Sequence, residues 1–322
     1  MILCKATESV YKAMTRYVLI RLGQGIIALL IGTMLVFWLA RLTGDPLNLL
    51  LPDTATKEQR QQMAKHLGLD KPIPVQYLIF ISHAARGDFG KSLFFYRPVT
   101  SLIIERLPAT LKLGFTAVAI SILISIPAGI YAAVRRDKWQ DGISKVFAIL
   151  GQSAPAFWLG IMLILVFSVK LEWLPPGGYG NHIKYYVLPA LTIATFPMAG
   201  FLRLTRSAML DIMGNDYIRL ARIKGLSETK VIWIHCLRNA LIPVVTFIAY
   251  VFVTIFTGSV IVETVFAWPG IGQLSYQALL WRDFPLIQGV LIFTVGLFVL
   301  VNLATDILYV YLDPRVRFTA KG

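Results

Sequence analysis

The chain carries, from residue 113 to residue 134, the segment LGFTAVAISILISIPAGIYAAV, which contains no Asp, Glu, Lys or Arg. A helix of about 20 apolar residues crosses the roughly 30 Å hydrocarbon core of a bilayer. Inside that core every backbone N–H and C=O must be paired within the segment, so a helix is the state that such a sequence adopts there. Residues 113–134 therefore predict a membrane-spanning helix.

Five further segments of 18 to 24 residues are equally free of charged side chains. They are Leu22–Ala40, Val146–Val169, Tyr185–Leu202, Asn239–Val262 and Phe284–Thr305. The composition agrees with this pattern, because 57% of the 322 residues are hydrophobic and only 15% are charged, whereas soluble domains have about 45–50% and about 25%. The sequence thus predicts an all-α membrane protein with six transmembrane helices.

The Lys and Arg residues are divided unequally between the connections of these helices. Residues 1–21, the turn between the second and third spans, residues 203–238 and the tail 306–322 together hold 18 of the 31 Lys and Arg residues. Short connections rich in Lys and Arg stay in the cytoplasm. We therefore expect both termini to be cytoplasmic, and the connections 41–112 and 263–283 to lie on the outer side, where turn-rich motifs predict short helices and turns.

The cytoplasmic connection 203–238 has the pattern of two helices separated by a glycine turn. The apolar face of the first helix comprises Met213, Tyr217, Leu220 and Ala221, at helical spacing. Gly225 stands where a helix end needs a left-handed residue, and Ser227 can cap a second helix that opens with Glu228. A basic amphipathic segment that rests on anionic lipid headgroups has a similar pattern and is the alternative.

Several classes of protein are excluded by what the sequence lacks. Two cysteines, Cys4 and Cys236, cannot build a disulfide scaffold or a zinc site. The sequence has no GxxxxGK[ST] loop for nucleotide phosphates and no HExxH or GxSxG motif of hydrolases. The net charge of +14 follows from the topology rather than from a nucleic-acid partner, since the aromatic residues lie in the apolar segments.

Two stretches of the cytoplasmic connection, DYIRLARIKGL at 216–226 and HCLRNALIP at 235–243, resemble one family of transporters. The matches cover nearly the whole chain, from residue 17 to residue 318. They include GDP at 44–46, LGLDKP at 67–72, GDFGKS at 87–92, ETVFAWPG at 263–270 and DPRVR at 313–317. The chain resembles the permeases of bacterial ABC importers with the type I fold, and within them the first (B-type) permease of the dipeptide/oligopeptide/nickel branch.

The resemblance implies that residues 203–238 contain a coupling helix, which docks in a groove of the ATPase subunit. Importer permeases carry there a glutamate, two alanines, three further residues and a glycine. Gly225 matches that glycine and Ala221 the second alanine, whereas Arg219 and Leu220 replace the glutamate and the first alanine. The implied coupling residues are Asp216, Tyr217, Arg219, Leu220, Ala221, Arg222, Lys224 and Gly225. The apolar members would pack into the groove or against the second helix, and the basic ones would face carboxylates at its rim.

The resemblance also implies a transport complex in the bacterial inner membrane. A second homologous permease would enclose the pathway, two separate subunits would bind ATP and magnesium, and a periplasmic or lipid-anchored binding protein would deliver the cargo. This chain would bind no cofactor, and transport would proceed by alternating access. The residues expected in docking of the binding protein or in gating are Gly87, Asp88, Gly90, Ser92, Glu263, Trp268, Pro269 and Gly270, with packing of loop turns as the alternative.

The cargo is open at the level of sequence. Short peptides are our first expectation, with nickel or glutathione as alternatives within the same importer class. A route for metal would require His, Cys or carboxylate side chains in the spans, and the charge-free segments contain none. The hypothesis from another class is a self-sufficient channel or secondary carrier that follows an ion gradient.

Overall fold

The computed structural model describes residues 19–35, 37–38, 47, 55–66, 70–180 and 182–312. The regular secondary structure of these residues is helical throughout. Several expectations lie outside the described residues, namely those for residues 1–18, for the motifs at 44–46 and 67–69, and for the tail 313–322.

The helices follow one another along the chain with short connections. They are α1 (Leu19–Leu35), α2 (Lys57–His66), α3 (Ile73–Ala84), α4 (Val99–Val134), α5 (Trp139–Ser153), α6 (Ala156–Leu163), α7 (Lys184–Met213), α8 (Asp216–Ile223), α9 (Glu228–Lys230), α10 (Leu237–Val265), α11 (Ile271–Leu280) and α12 (Phe284–Leu312). A π-helical segment, Ile164–Lys170, continues α6, and another, Val231–Cys236, joins α9 to α10.

The chain divides into two compact units. Unit 1 comprises Met1–Pro108 and Gln273–Ile307, and unit 2 comprises Ala109–Gly272 and Leu308–Gly322. Helix α4 therefore begins in unit 1 and continues into unit 2.

Among the described residues, four helical stretches are long and apolar enough to cross a membrane, and a bent pair of helices raises the number to five. The four are α4, α7, Glu228–Phe252 (which leads into α10) and Phe284–Thr305 of α12. Helices α4, α7, α10 and α12 each contain one of the predicted charge-free segments, and α1 overlaps a fifth segment, Leu22–Ala40.

The predicted span Val146–Val169 differs from the expectation because it is not one straight helix. Helix α5 and the stretch Ala156–Lys170 are bent by 107° at their junction. Pro155 has no N–H to donate and disfavours helical backbone in the residue before it, and Ala154 is accordingly extended, with ψ of 125°. The absence of charged residues from Val146–Val169 indicates a segment that lies in hydrocarbon, whereas Pro155 determines where its helix breaks.

The helices also continue beyond the charge-free segments. Helix α4 begins at Val99, so the end of the predicted outer connection 41–112 is helical, and α7 extends to Met213 into the predicted connection 203–238. Lys and Arg can continue a membrane helix because their long side chains carry the charge to the interface. The absence of charge therefore marks the hydrocarbon, while the helix ends are set by other signals.

In unit 2, helix α4 packs through a column of small residues. The column recurs every four residues, which places its members on one helix face, and comprises Ala117, Ser121, Ser125, Gly129 and Ala133, all buried. A Cβ atom at Gly129 would lie 2.8 Å from the Cβ of Thr205 and 2.9 Å from the carbonyl oxygen of Leu202, both on α7. Small residues thus allow the backbones of α4 and α7 to approach closely.

A Gly129→Val variant is expected to destabilise the permease. The added side chain has no space between α4 and α7, and overpacking of this kind costs about 1–3 kcal/mol. The thermal unfolding midpoint of the detergent-solubilised protein should fall. The matched control is Gly142→Val on α5, where nothing lies within 4 Å of the added Cβ, and equal midpoints for the two variants would contradict the close approach.

In unit 1, helix α3 packs against the end of the first apolar helix. The rings of Tyr77 and Phe37 lie with their centroids 5.4 Å apart in an edge-to-face arrangement. The Tyr77 hydroxyl also lies 2.9 Å from the hydroxyl of Thr33 on α1. The predicted outer connection 41–112 thus contributes a helix that is held against the apolar helix α1 of its own unit.

Candidate functional site

The connection 203–238 contains a short helix between two long ones. Helix α7 ends at Met213, so this residue belongs to the preceding helix and not to the predicted apolar face of α8. Gly214 and Asn215 interrupt the helix, because glycine weakens a helix and Asn favours the N-cap. Asn215 occupies that N-cap with φ of −76° and ψ of 148°, and Asp216 follows in the first turn, where its charge is favourable to the helix dipole.

The buried side of α8 is built around Ile218, which has no exposed surface. It belongs to an apolar cluster within unit 2 that also contains Ile130, Ala133, Met209, Val231, Cys236 and Ala240. Ala221 packs partly against the same cluster. The sequence prediction did not include Ile218. Both the helix face with Ile218 and the face with Tyr217 and Leu220 carry apolar side chains, so the sequence alone does not show which face is buried. Only neighbours that are distant in sequence decide between these faces.

The solvent-facing side of α8 leaves large apolar side chains uncovered. Tyr217, Leu220 and Ile223 are 41%, 55% and 80% exposed, respectively. We call these three residues the α8 patch. Arg219 and Lys224 are exposed beside it, and within the part of the chain that the structure describes neither side chain has a hydrogen-bond or ion-pair partner. Helix α8 thus offers an apolar patch with cationic neighbours.

The end of α8 is a turn that requires glycine. Gly225 has φ of +78°, a conformation that residues with a Cβ rarely adopt. Its N–H donates to the carbonyl of Arg222 (2.9 Å), and the N–H of Leu226 donates to the carbonyl of Ala221 (3.3 Å). These two bonds form a Schellman motif. Gly225 therefore adopts the predicted left-handed conformation and fixes the direction in which the chain leaves α8.

Two side-chain contacts fasten α8 to the helices that follow it. Arg222 Nε donates to Glu228 Oε1 at 2.8 Å, and Asn239 Nδ2 donates to the Tyr217 hydroxyl at 2.8 Å. Arg222 was expected to face carboxylates of a partner, but in the structure it is engaged by a carboxylate of its own chain. Ser227 stands at the N-cap of α9 as predicted, although its hydroxyl makes no capping hydrogen bond.

The motif GDFGKS at 87–92 begins with an exposed turn in unit 1. Gly87 and Gly90 have φ of 75° and 79°. The Asp88 carboxylate accepts the N–H of Gly90 at 2.9 Å and lies 3.2 Å from Nδ1 of His83. These hydrogen bonds, the backbone one first, hold the pKa of the Asp88 carboxyl below its ordinary value. The turn therefore favours the ionised form of the exposed Asp88 carboxyl.

Ser92, the last residue of this motif, is buried within unit 1. Its hydroxyl donates to Oδ2 of Asp283 and accepts the N–H of Phe95. Asp283 is buried as well and also accepts the N–H groups of Phe94 and Leu286. Ser92 thus fastens two segments of unit 1, and the sequence prediction missed its partner because 191 residues separate the two side chains.

The motif ETVFAWPG at 263–270 folds into the interior of unit 2. Glu263 and Trp268 have no exposed surface. Glu263 Oε1 accepts the hydroxyl of Thr110 at 2.9 Å, and the same hydroxyl accepts the N–H of Ile271 at 2.8 Å. The N–H of Trp268 donates to the carbonyl of Glu263 (2.8 Å), and its indole N–H donates to the carbonyl of Ala109 (3.0 Å).

Gly270 completes this buried arrangement. A Cβ added at Gly270 would overlap the Glu263 carboxyl group. The rings of Tyr179 and Tyr186 contact the Trp268 ring edge-on, at 4.9 and 4.7 Å between centroids. Glu263, Trp268 and Gly270 therefore face the interior, and only Pro269, the fourth residue expected here, is partly exposed. Gating or packing fits these positions better than direct contact with a binding protein.

Hydrogen bonds between distant segments hold the residues of the candidate site in place. Among the described residues, no group of three or more His, Cys, Asp or Glu side chains is placed to hold a metal ion. The polar clusters around Glu263 and Asp283 instead hold helices and turns in place.

Comparison with known proteins gives matches over nearly the whole sequence. Residues 125–318 match the family described as binding-protein-dependent transport system inner membrane component, and residues 14–114 match the N-terminal region of such membrane components. A putative peptide transport system permease protein of Brucella abortus (strain 2308) is 42% identical over 313 residues, which cover 95% of this chain and 100% of that protein. The glutathione transport system permease protein GsiC of Escherichia coli (strain K12) is 42% identical over 307 residues, with the same coverage of 95% and 100%.

The fold is shared with a solved transporter. An inward-facing structure of the MetNI methionine ABC transporter superposes with a TM-score of 0.55 at 20% sequence identity, over 66% of this chain and 96% of that chain. At this level of identity the likeness concerns the fold alone.

Proposed function

We propose that this chain, which belongs to the family of binding-protein-dependent transport system inner membrane components, imports short peptides as one of two homologous permeases. It is a permease of an ABC transport system in the peptide or glutathione importer branch. Permeases of this family are multi-pass inner-membrane proteins, are not enzymes and have no known cofactor. Partner ATPase and binding-protein components follow from membership of such a system. We propose that these partners are two ATP-binding subunits, which hold ATP and magnesium, and one periplasmic or lipid-anchored binding protein.

The observation that carries the proposal is the α8 patch. Leu220 and Ile223 are more than half exposed on a short helix that is otherwise fixed to its own unit. Exposed apolar groups of this kind mark a surface that binds a partner, and the unpaired Arg219 and Lys224 beside them suit carboxylates. A groove of the ATPase subunit, apolar at its base and acidic at its rim, is the partner surface that fits this chemistry.

The connections of α8 suit the transmission of motion. Helix α8 follows α7 after two residues, and α9 and the π-helical segment join it to α10. The Gly225 turn and the Arg222–Glu228 ion pair orient α8 relative to α9, and the hydrogen bond from Asn239 to Tyr217 joins it to α10. When ATP binding closes the ATPase subunits, the coupling helices would be drawn together, and α7 and α10 would open the pathway outward. Hydrolysis would return the permease to the inward-open state.

The topology completes the proposal. We propose six spans, with the bent pair formed by α5 and Ala156–Lys170 as the third span and α1 as the first. Both termini and α8 would then lie in the cytoplasm, where the basic connections predict them. The exposed Asp88 turn would lie on the periplasmic face and suit docking of a binding protein, whereas the buried cluster of Glu263, Trp268 and Gly270 would suit gating.

Short peptides are the proposed cargo, and glutathione is the second candidate because GsiC is as similar to this chain as the peptide permease is. The test is uptake into proteoliposomes that contain the purified complex, with its binding protein added outside the vesicles and ATP enclosed inside them. We expect labelled di- and tripeptides to accumulate and unlabelled glutathione to compete weakly. Strong competition by glutathione, or uptake of nickel ions instead, would replace the peptide assignment.

Docking of α8 can be tested by cross-linking. With Cys4 replaced by serine, a cysteine at Ile223 is expected to cross-link efficiently to an ATPase subunit in membranes, because Ile223 is 80% exposed. Cys236 can remain, since it is buried. The control is Lys138→Cys, which is exposed in the turn before α5 but outside the proposed groove. Equal cross-linking from both positions, or none from position 223, would contradict docking through the α8 patch.

The composition of the complex can be tested by purification through a tag on this chain in mild detergent. A second permease and ATPase chains should co-purify, and mass spectrometry identifies them. Recovery of this chain alone, with transport intact after reconstitution, would contradict the proposed assembly and favour a self-sufficient channel or carrier.

A further inference from the structure

Helix α5 lies antiparallel along α7 over its whole length. At one end of α5, Asp141 contacts Arg206; in the middle, Ala148 clusters with Ala199 and Leu202. At the other end, a Cβ at Gly151 would lie only 3.3 Å from the carbonyl oxygen of Thr195. The two helices therefore form a closely packed pair within unit 2.

The contact between Asp141 and Arg206 is a buried two-pronged ion pair. Arg206 Nε donates to Asp141 Oδ1 at 2.5 Å, and Nη2 donates to Oδ2 at 2.8 Å. The Asp141 side chain has no exposed surface and that of Arg206 is 19% exposed. Lys145 also reaches Oδ2 at 2.9 Å, but its side chain is 51% exposed. Two parallel bonds fix the angle of a guanidinium relative to a carboxylate, which one bond cannot do.

The position of Arg206 gives this ion pair a place in the transport cycle. Arg206 lies on α7, two turns before its end at Met213, and α8 begins three residues later. Beyond the break at Pro155, α6 packs near the other end of α7: Leu163 lies against the cluster of Leu188, Val262 and Phe266, and a Cβ at Gly160 would lie 3.1 Å from the ring of Phe266. A displacement of α8 thus reaches α5 through the half of α7 that lies nearest to α8, whereas α6 contacts α7 near Leu188, at the start of that helix.

We propose that Asp141 and Arg206 are positioning residues for coupling: their ion pair makes α5 move together with α7 when the ATPase subunits displace α8. The break at Ala154 and Pro155 absorbs the difference between the moving α5 and α6. This inference rests on the proposed docking of α8 to the ATPase. The packing of small residues such as Ala148 and Ala199 has little directional preference, whereas the two parallel bonds of the ion pair can both form in only one register.

The test uses the complete reconstituted complex with its binding protein, and measures transported cargo per ATP hydrolysed. The variants are Asp141→Asn, which weakens the pair, and Arg206→Lys, which keeps the charge but loses the second prong. The matched control is Lys145→Ala, which removes the exposed partner of the same carboxylate. We expect a loss of about tenfold in cargo per ATP for Asp141→Asn, a smaller loss for Arg206→Lys, and a ratio within about twofold of wild type for Lys145→Ala.

Two results would overturn the inference. One is a normal cargo-to-ATP ratio in both Asp141→Asn and Arg206→Lys. The other is failure of both variants to assemble with the ATPase subunits, which would assign the ion pair to folding alone. The Ile223→Cys cross-link to the ATPase separates this inference from the proposed function. If the cross-link still forms in the Asp141→Asn variant while coupling is lost, both the docking of α8 and the role of the ion pair are supported. If the cross-link does not form even with Asp141 in place, the docking of α8 itself is contradicted.

Discussion

A Gly225→Val variant is expected to insert and assemble but to lose transport by about tenfold or more. Gly225 has φ of +78°, and a β-branched residue in that region is a strong outlier. Backbone strain of this kind costs about 1–3 kcal/mol. The chain can avoid the cost by rearranging the turn, which would break the two Schellman hydrogen bonds and reorient α8. Transport into proteoliposomes and binding-protein-stimulated ATPase activity are the measurements.

The cost at Gly225 is conformational and not steric, which allows a graded control. No atom lies within 4 Å of a Cβ built at this position, so side-chain size by itself should have no effect. Asn adopts the left-handed conformation more readily than other residues with a Cβ. Transport should therefore decrease in the order Gly, Asn, Ala, Val. Equal transport in all four, or a loss that follows side-chain volume with Asn below Ala, would contradict the role of the turn.

The membrane-spanning helices are the part of the fold that could be predicted from the sequence. Hydrocarbon imposes one requirement, that a long segment carry no charge, and this requirement can be read along the chain without knowledge of any contact. Helices α4, α7, α10 and α12 accordingly contain the predicted segments. The bend of 107° between α5 and α6 could have been predicted from Pro155, since proline acts on the backbone locally.

The residues of the candidate site also divide into those that local sequence predicts and those that depend on distant parts of the chain. The left-handed Gly225 was predictable because glycine after a short helix is a local signal. The burial of Ile218, the partner of Ser92 and the ion pair of Asp141 were not, because each depends on a residue of another helix or a distant loop. Asp141 in particular follows a basic turn and has the sequence environment of an exposed residue, yet its side chain is fully buried.

The buried carboxylate of Glu263 shows why motif position alone does not reveal a role. The motif ETVFAWPG was expected to take part in docking or gating, and its glutamate in fact lies in the interior of unit 2 with Thr110. A buried carboxylate is costly unless it is hydrogen-bonded, so its neighbours are constrained to leave it room. Gly270 leaves that room because it has no Cβ. The importance of this packing can therefore be tested by adding a methyl group at position 270.

A Gly270→Ala variant is expected to lower the stability of the permease by about 2–4 kcal/mol, because one added methyl group meets a buried, hydrogen-bonded carboxylate. The added Cβ would overlap both Cδ and Oε2 of Glu263. Since the carboxylate cannot move without giving up the Thr110 hydroxyl, the strain has no inexpensive release. The thermal unfolding midpoint of the detergent-solubilised complex measures the effect, and Gly142→Ala is the control with open space around its Cβ.

The pair of Gly270 and Glu263 also predicts non-additivity, which separates a clash from a general weakness of the turn. Glu263→Ala alone should destabilise the protein, because it leaves a cavity beside Thr110. In the double variant the methyl group introduced at position 270 enters the space that the carboxylate has left. The double variant should therefore be more stable than the sum of the single effects predicts, by about 1 kcal/mol or more. Additive effects would mean that the Cβ at position 270 meets something other than Glu263, and that this carboxylate does not determine the path of the chain between α10 and α11.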